Sequence, residues 1–586
     1  MAFFTAKNTR NVSGQITSND YAVVVVSLQY SIILGLAGIS YYYLVAGYLR
    51  NKYQLNGYPG PFLAKFSRLW LGYATRFGKR YQIIHELHQK HGASPPFLPL
   101  RPCRRFVRIA PNELSIADPD AIPIVLGHGT GTLKSKFYDA FVANQRGLFN
   151  TRDRADHTRK RKIISNTFSQ KSILEFEAYI ADTMACFLRK MDQLASDPNP
   201  IQDPPTAHIP SSSSSKEDGW KILDILPCFN YLAFDIIGDL AFGERLGMIE
   251  RGADIAAVQK EGKILYLPAI QILNHRGEFS ATQGSLPAGL RPYMKYIDPW
   301  FSRGDTSVKN LTGIAVNQVN IRLSQTGHSR KDLLAHLQTG RDADGNPMSK
   351  DELIAEALTQ LIAGSDTTSN TSCMILWWIV KHPSVYEKLM SELEEHVGAE
   401  EGVISYADCK DLKYLNACIN ETLRIHSTSS IGLPRILPET VSFKGHLLLK
   451  GLVCSVPTFD IHHDPEVWGD PFTFRPERWL EPNSKEYEKA FMPFRYSIHQ
   501  FLHFPSHFFW PSVLYWTQFS HDGAMRKRRI PLLIQRKTWR EQMITSTILK
   551  RYEFVLVDPT QAELETREGF LRKPLNCWVK FKLRPH

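Results

Sequence analysis

The chain has 586 residues, 43% hydrophobic and 22% charged, which is enough apolar material for one large body with a deep internal pocket. Its eight cysteines form no CxxC pair and no short regular spacing, which excludes a zinc ribbon and a disulfide framework and fits thiols kept reduced. The net charge of +12 does not signal a nucleic-acid partner, because half of that excess sits in residues 495–543 and no basic and aromatic interleaving appears elsewhere.

Residues 1–20 read as an N-terminal tail. From Tyr21 to Leu49 there is no charged residue, and Tyr41, Tyr42 and Tyr43 close the run as an interfacial aromatic belt. About 20 apolar residues cross a bilayer, so residues 21–49 are predicted to be a single transmembrane anchor. A cleaved signal peptide and a buried core helix are the alternatives, although no small-residue cleavage pattern ends the run. Residues 50–61 follow as a proline-rich hinge, in which Pro59 and Pro61 fix their own φ angles and donate no backbone hydrogen bond. Residues 62–586 are read as one large body. Within it, residues 93–105 and the polar, serine-rich stretch 196–218 read as surface excursions, and Phe106 to Ile109 as a strand.

Ser349 and Glu352 have the spacing of a capping box, and Pro383 stops whatever helix they begin. That helix would be about 50 Å long, and apolar residues nearly encircle it, which predicts a central buried element. At its middle lies Ala363-Gly364-Ser365-Asp366-Thr367-Thr368. Gly364 lacks a side chain, so the backbone there is expected to loosen and approach a flat ligand. Asp366 and Thr367 set an acid beside an alcohol, a pair suited to delivering protons. The alternative is that these polar groups only bond neighbouring carbonyls and bend the helix. Further on, Glu421 and Arg424 lie three apart on a helix with an apolar face, and Phe474-Arg475-Pro476-Glu477-Arg478-Trp479 follows.

These three motifs, in this order, resemble the cytochrome P-450 superfamily of haem-thiolate monooxygenases. Segments such as 146–154, 229–243 and 423–430 look like its fungal benzoate 4-monooxygenase group, and the likeness covers most of residues 55–494 and returns at 544–586. The resemblance implies a mainly α fold with small β-sheets, preceded by one N-terminal transmembrane helix and tethered to the endoplasmic reticulum membrane with the body in the cytosol. It implies haem b (iron protoporphyrin IX), electrons from NADPH through a flavoprotein reductase, and hydroxylation of a small aromatic carboxylate, benzoate to 4-hydroxybenzoate. By position it makes Asp366 and Thr367 catalytic, assigns Gly364, Arg161, Arg435 and His157 to the cofactor, and makes Glu421, Arg424 and Arg478 a buried scaffold. Donors available to a substrate carboxylate are Ser427, Thr428, Ser429 and Ser430 together with Lys134 or Arg146, with plain solvent exposure as the alternative for each.

The pattern then breaks. The loop that should carry the iron-binding cysteine reads Phe494-Arg495-Tyr496-Ser497-Ile498-His499-Gln500-Phe501, which puts Phe501 at the cysteine position. Phenylalanine has no lone pair for a metal, and His499 or His503 would make a different iron centre. His499 to Ser520 and the basic run Arg526 to Arg529 show neither helical nor strand period; residues 495–543 are read as an aberrant insert of low order, and they, with 93–105 as a second candidate, as translated from unspliced or frame-shifted message. The rival functional reading is therefore an inactive, haem-free helical binding protein that keeps the fold.

Overall fold

The computed structural model describes residues 52–92, 105–127, 130–165, 170–197, 219–324, 330, 332–342, 344–398, 402–493 and 538–585, with part of 26–41. The fold is mainly α with small sheets. Six helices bear on the site: α1 (Arg154–Ser165), α2 (Ile225–Phe242), α3 (Ala269–Ser285), α4 (Lys350–Lys381), α5 (Lys413–Ile425) and α6 (Trp539–Arg551).

α4 begins where the sequence signals it. Ser349 Oγ accepts from Glu352 N at 3.2 Å while Ser349 N donates to the Glu352 carboxylate at 3.2 Å, so two otherwise orphaned amides are satisfied reciprocally. The helix runs without a break for 32 residues, about 48 Å, and ends at His382, ahead of Pro383. Almost every residue from Leu353 to Ile379 is buried. α2 packs along it more extensively than any other described pair of elements. Asp224 caps the start of α2 by accepting from Leu226 N, and Gly243 ends it at φ 83°, a left-handed conformation that suits glycine.

The largest sheet has five strands in the order Phe106–Ala110, Glu113–Ile116, Val453–Ser455, Arg435–Ile436 and Leu133–Lys134, with one parallel pairing, between Val453–Ser455 and Glu113–Ile116. Its last pairing sets Lys134 directly opposite Arg435. A second sheet joins Tyr552–Leu556, Trp578–Leu583 and Lys221–Asp224, and a separate hairpin pairs Thr566–Glu568 with Arg572–Pro574. That hairpin returns the C-terminal chain to the middle of α4.

Two expectations need correction or placement. The stretch 495–543 does not lack order at its C-terminal edge: α6 starts at Trp539, and Trp539, Arg540, Glu541, Gln542 and Met543 are buried against α4 and α5. The likeness that returns at residue 544 therefore begins inside a helix already under way. Residues 494–537, with Phe501, His499 and His503, lie outside the described residues, as do 93–104 and 198–218. The predicted anchor is described only in part. Among the described residues one helix, α2, is long and apolar enough to cross a membrane, and it is a buried core helix.

Candidate active site

One face of α4 walls a cavity of about 920 Å³ with Ala355, Leu358, Thr359, Ile362, Ala363 and Thr367. Phe141, Phe149, Phe570, Leu433, Thr428 and Ser429 close it from other elements. Thr367 Oγ1 donates to Ala363 O at 2.6 Å, so its hydroxyl proton is held by the helix and its lone pairs remain able to accept. The neighbouring Asp366 faces elsewhere, because successive helical residues point about 100° apart. Its Oδ2 lies 2.7 Å from Lys573 Nζ, beside a second cavity of about 960 Å³. Arg276, Ile362, Phe570 and Leu571 border both cavities.

Gly364 does not serve the ligand face. A Cβ built there would come within 2.7 Å of Ile237 Cδ1 and Cγ1, so the missing side chain lets α2 and α4 approach each other. The expected approach of backbone to a flat ligand is corrected accordingly, and the helix shows no loosened turn at this point.

A third cavity, of about 980 Å³, collects cations. Lys134, His157, Arg161 and Arg435 line it, His157 and Arg161 from α1 and the other two from facing strands. Burial first, then Lys134, Arg161 and Arg435, push the His157 imidazole down to about 2, so it is neutral at physiological pH. Burial and the adjacent Arg435 likewise hold Lys134 well below the usual lysine range. Like charges directly opposite on paired strands repel, and an anion in this cavity would relieve that repulsion.

Beneath α4 lies a polar network whose charged members Glu421, Arg424 and Arg478 have no exposure at all. Arg424 donates from Nε and Nη2 to the two oxygens of Glu421 at 2.9 and 2.7 Å, and Arg478 Nε donates to the same carboxylate at 3.0 Å. Trp479 Nε1 adds a further bond to Glu421 at 3.0 Å. Other guanidinium N–H groups meet backbone carbonyls of His462, Pro471 and Trp468, and Arg478 Nη2 also reaches the Asp470 carboxylate. His462, which no sequence motif singles out, bonds Arg424 O through Nδ1 at 3.0 Å and accepts from Met492 N through Nε2 at 2.8 Å. It thereby ties the network to Pro493 at the rim of the first cavity.

A family model for Cytochrome P450 matches residues 59–495. The chain belongs to the cytochrome P450 family. It is 42% identical over 569 residues to benzoate 4-monooxygenase bphA of Aspergillus niger, covering 95% of this chain and 98% of that protein. It is also 28% identical to the cytochrome P450 monooxygenase lcsK of Purpureocillium lilacinum and 26% to poxM of Penicillium oxalicum, each over 75% of this chain.

Membership in the P450 family implies haem, and the donor set can be tested against it. The cationic cavity suits two propionates, which such side chains bind through charge-assisted hydrogen bonds. The axial position is another matter. Seven cysteines are described, and none of them lines the three cavities. The sequence has no cysteine between Cys454 and Cys577.

Of the expected carboxylate donors, Thr428 and Ser429 line the first cavity in this P450, whereas Arg146 is turned to Asp139 and Asn150 O. Ser430 Oγ donates to Ser427 O within its own loop, and Lys134 belongs to the cationic cavity. The sequence reading missed Arg276, Lys573 and the trio Phe141, Phe149 and Phe570. No local signal marks them, because they come from separate segments that only the fold brings together.

Proposed function

We propose that this P450 is a monooxygenase that hydroxylates a small aromatic acid, with benzoate converted to 4-hydroxybenzoate. The observation that carries this reading is the phenylalanine-walled cavity against Thr367, in a chain alignable almost end to end with a benzoate 4-monooxygenase. Haem, when bound, supplies dioxygen reduction and oxygen transfer to a C–H bond. Arg161, Arg435 and the neutral His157 would hold its propionates. Thr367 would position water with its free lone pairs, and Asp366 with Lys573 would bear protons at the second cavity. Glu421, Arg424 and Arg478 would keep the underlying loop rigid without touching substrate.

Electrons would come from NADPH through a flavoprotein reductase. Residues 21–49 would anchor the chain in the endoplasmic reticulum membrane, with residues 62–586 as the cytosolic body. In support, the described residues between Val26 and Tyr41 are helical, with Tyr30, Ile33 and Leu34 exposed. Phe62, Leu63, Tyr73, Tyr296 and Ile297 are exposed as well, and the Arg76 guanidinium on the Trp300 ring at 3.7 Å joins their two segments. Purified chain with reductase, NADPH and benzoate is expected to yield 4-hydroxybenzoate by chromatography; haem-loaded protein that forms no oxygenated product would overturn the reading.

One observation favours a second reading, namely the lack of any cysteine between Cys454 and Cys577. The chain would then bind aromatic acids without oxidising them, and much of the stretch 495–543 would derive from unspliced or frame-shifted message. A reduced, carbon-monoxide-treated spectrum separates the two. A red-shifted thiolate band supports the monooxygenase, and its absence with benzoate binding retained supports the binding protein.

A further inference from the structure

Arg276 is an arginine in an unusual place. It projects from α3 between the first and second cavities, lines both, and is only 5% exposed. Of its five N–H donors, Nη2 reaches Phe141 O at 3.2 Å, and Nε has no hydrogen-bond partner among the described residues. No described carboxylate forms an ion pair with it. The acid whose field it feels is Asp366, and that carboxylate is already engaged by Lys573 at 2.7 Å. Burial lowers the guanidinium to about 10, so it stays charged at neutral pH.

A buried cation without a counter-charge is destabilising, and a protein keeps one where a ligand completes it. The surroundings say what that ligand is. Phe141, Phe149 and Phe570 touch one another with ring centroids 4.8 to 5.5 Å apart, and the Arg276 guanidinium lies 6.0 Å from the Phe141 ring. This is a cluster of aromatic edges and faces with one cation at its border, and Thr428 and Ser429 supply further donors.

We propose that Arg276 is the carboxylate anchor of the substrate site and selects aromatic acids over their neutral analogues. The guanidinium fork takes the carboxylate through two parallel hydrogen bonds, while the ring packs against the three phenylalanines. Held this way, the ring carbon para to the carboxylate is the one farthest from Arg276, as para hydroxylation under the reading above would need. The inference rests on the aromatic-acid reading above and specifies which residue makes it selective.

The test is calorimetric titration of the full-length protein with benzoate and, separately, benzamide, in the parent and in Arg276→Met and Arg276→Lys. The parent is expected to bind benzoate at least about tenfold tighter than benzamide. Charge-assisted bonds of this kind are worth about ten- to a hundredfold in affinity, so Arg276→Met should lose that much for benzoate and less than about threefold for benzamide. Arg276→Lys, which keeps the charge but not the fork, should fall between. The benzoate-to-benzamide ratio is internal to each variant, so a general loss of folded protein does not imitate the result. If Arg276→Met does not fold, the ratio in Arg276→Lys decides alone. An unchanged ratio in the variant overturns the anchor and leaves the substrate class standing, whereas a parent that does not prefer benzoate overturns both.

Discussion

The carboxylate of Asp366 lies 2.7 Å from the ammonium of Lys573, tying the middle of α4 to the hairpin Thr566–Pro574. Both side chains are mostly shielded, at 7% and 17% exposure, so water screens the pair less than it would at the surface. A double-mutant cycle with Asp366→Asn and Lys573→Met, followed by chemical denaturation, should give a coupling of about 0.5–3 kcal/mol. A coupling indistinguishable from zero would mean that this ion pair does not hold the hairpin, which its other polar contacts, such as Arg567 with Glu278, would then secure.

Glu421 accepts from both Arg424 and Arg478, and none of the three side chains is exposed. Replacing either arginine by methionine leaves Glu421 with one guanidinium instead of two and strands the buried carbonyls that the lost one met, which should cost about 3–5 kcal/mol in chemical denaturation. Arg478→Lys should not rescue stability. One ammonium cannot reach Glu421, Trp468 O and Asp470 together, as the guanidinium does. Near-parental stability in the lysine variant would refute this account of the network.

Gly364→Ala introduces a methyl within 2.7 Å of Ile237, which must shift. The expected loss is about 1–3 kcal/mol, with partial recovery when Ile237→Val makes room. Thermal melts of the single and double variants check this. If the alanine variant melts with the parent, close helix approach is not the reason for glycine here.

Glu356 on α4 accepts from Leu148 N at 2.6 Å, and burial pushes its carboxyl up from 4.5 to about 7 against the opposing pull of Lys160. A folded-state value above the unfolded one means that its stabilising contribution is complete below about 4.5 and is lost as pH rises through about 7. Glu356→Gln keeps an acceptor for Leu148 and carries no charge at any pH. The melting temperature of the variant relative to the parent should therefore climb between pH 4.5 and 7 and level off above. A flat difference across that range would show that Glu356 titrates normally.

Some of this was legible early because it is local. The capping box of Ser349 and Glu352 and the stop at Pro383 depend on neighbours within a turn or two, and α4 occupies the span they mark. The strand at Phe106–Ala110 is local in the same way. Gly364 shows the limit: the sequence reveals that a side chain is missing, but which neighbour uses the space depends on how α2 crosses α4. α6 shows another, since Trp539–Met543 lie in the stretch read as an insert, and only their burial against α4 and α5 makes them part of the body.

By itself the order of residues determined the family, the central helix and the chemistry available along it, because short motifs and helix signals act over a few residues. Only the tertiary structure decided which groups meet. Asp366 and Thr367 are adjacent in the chain yet open onto different cavities, and Lys573 claims the acid that would otherwise answer Arg276. Electrostatics and packing at a buried site depend on distance in space, and segments as far apart as Phe141, Arg276, Asp366 and Phe570 acquire that distance only when the chain folds.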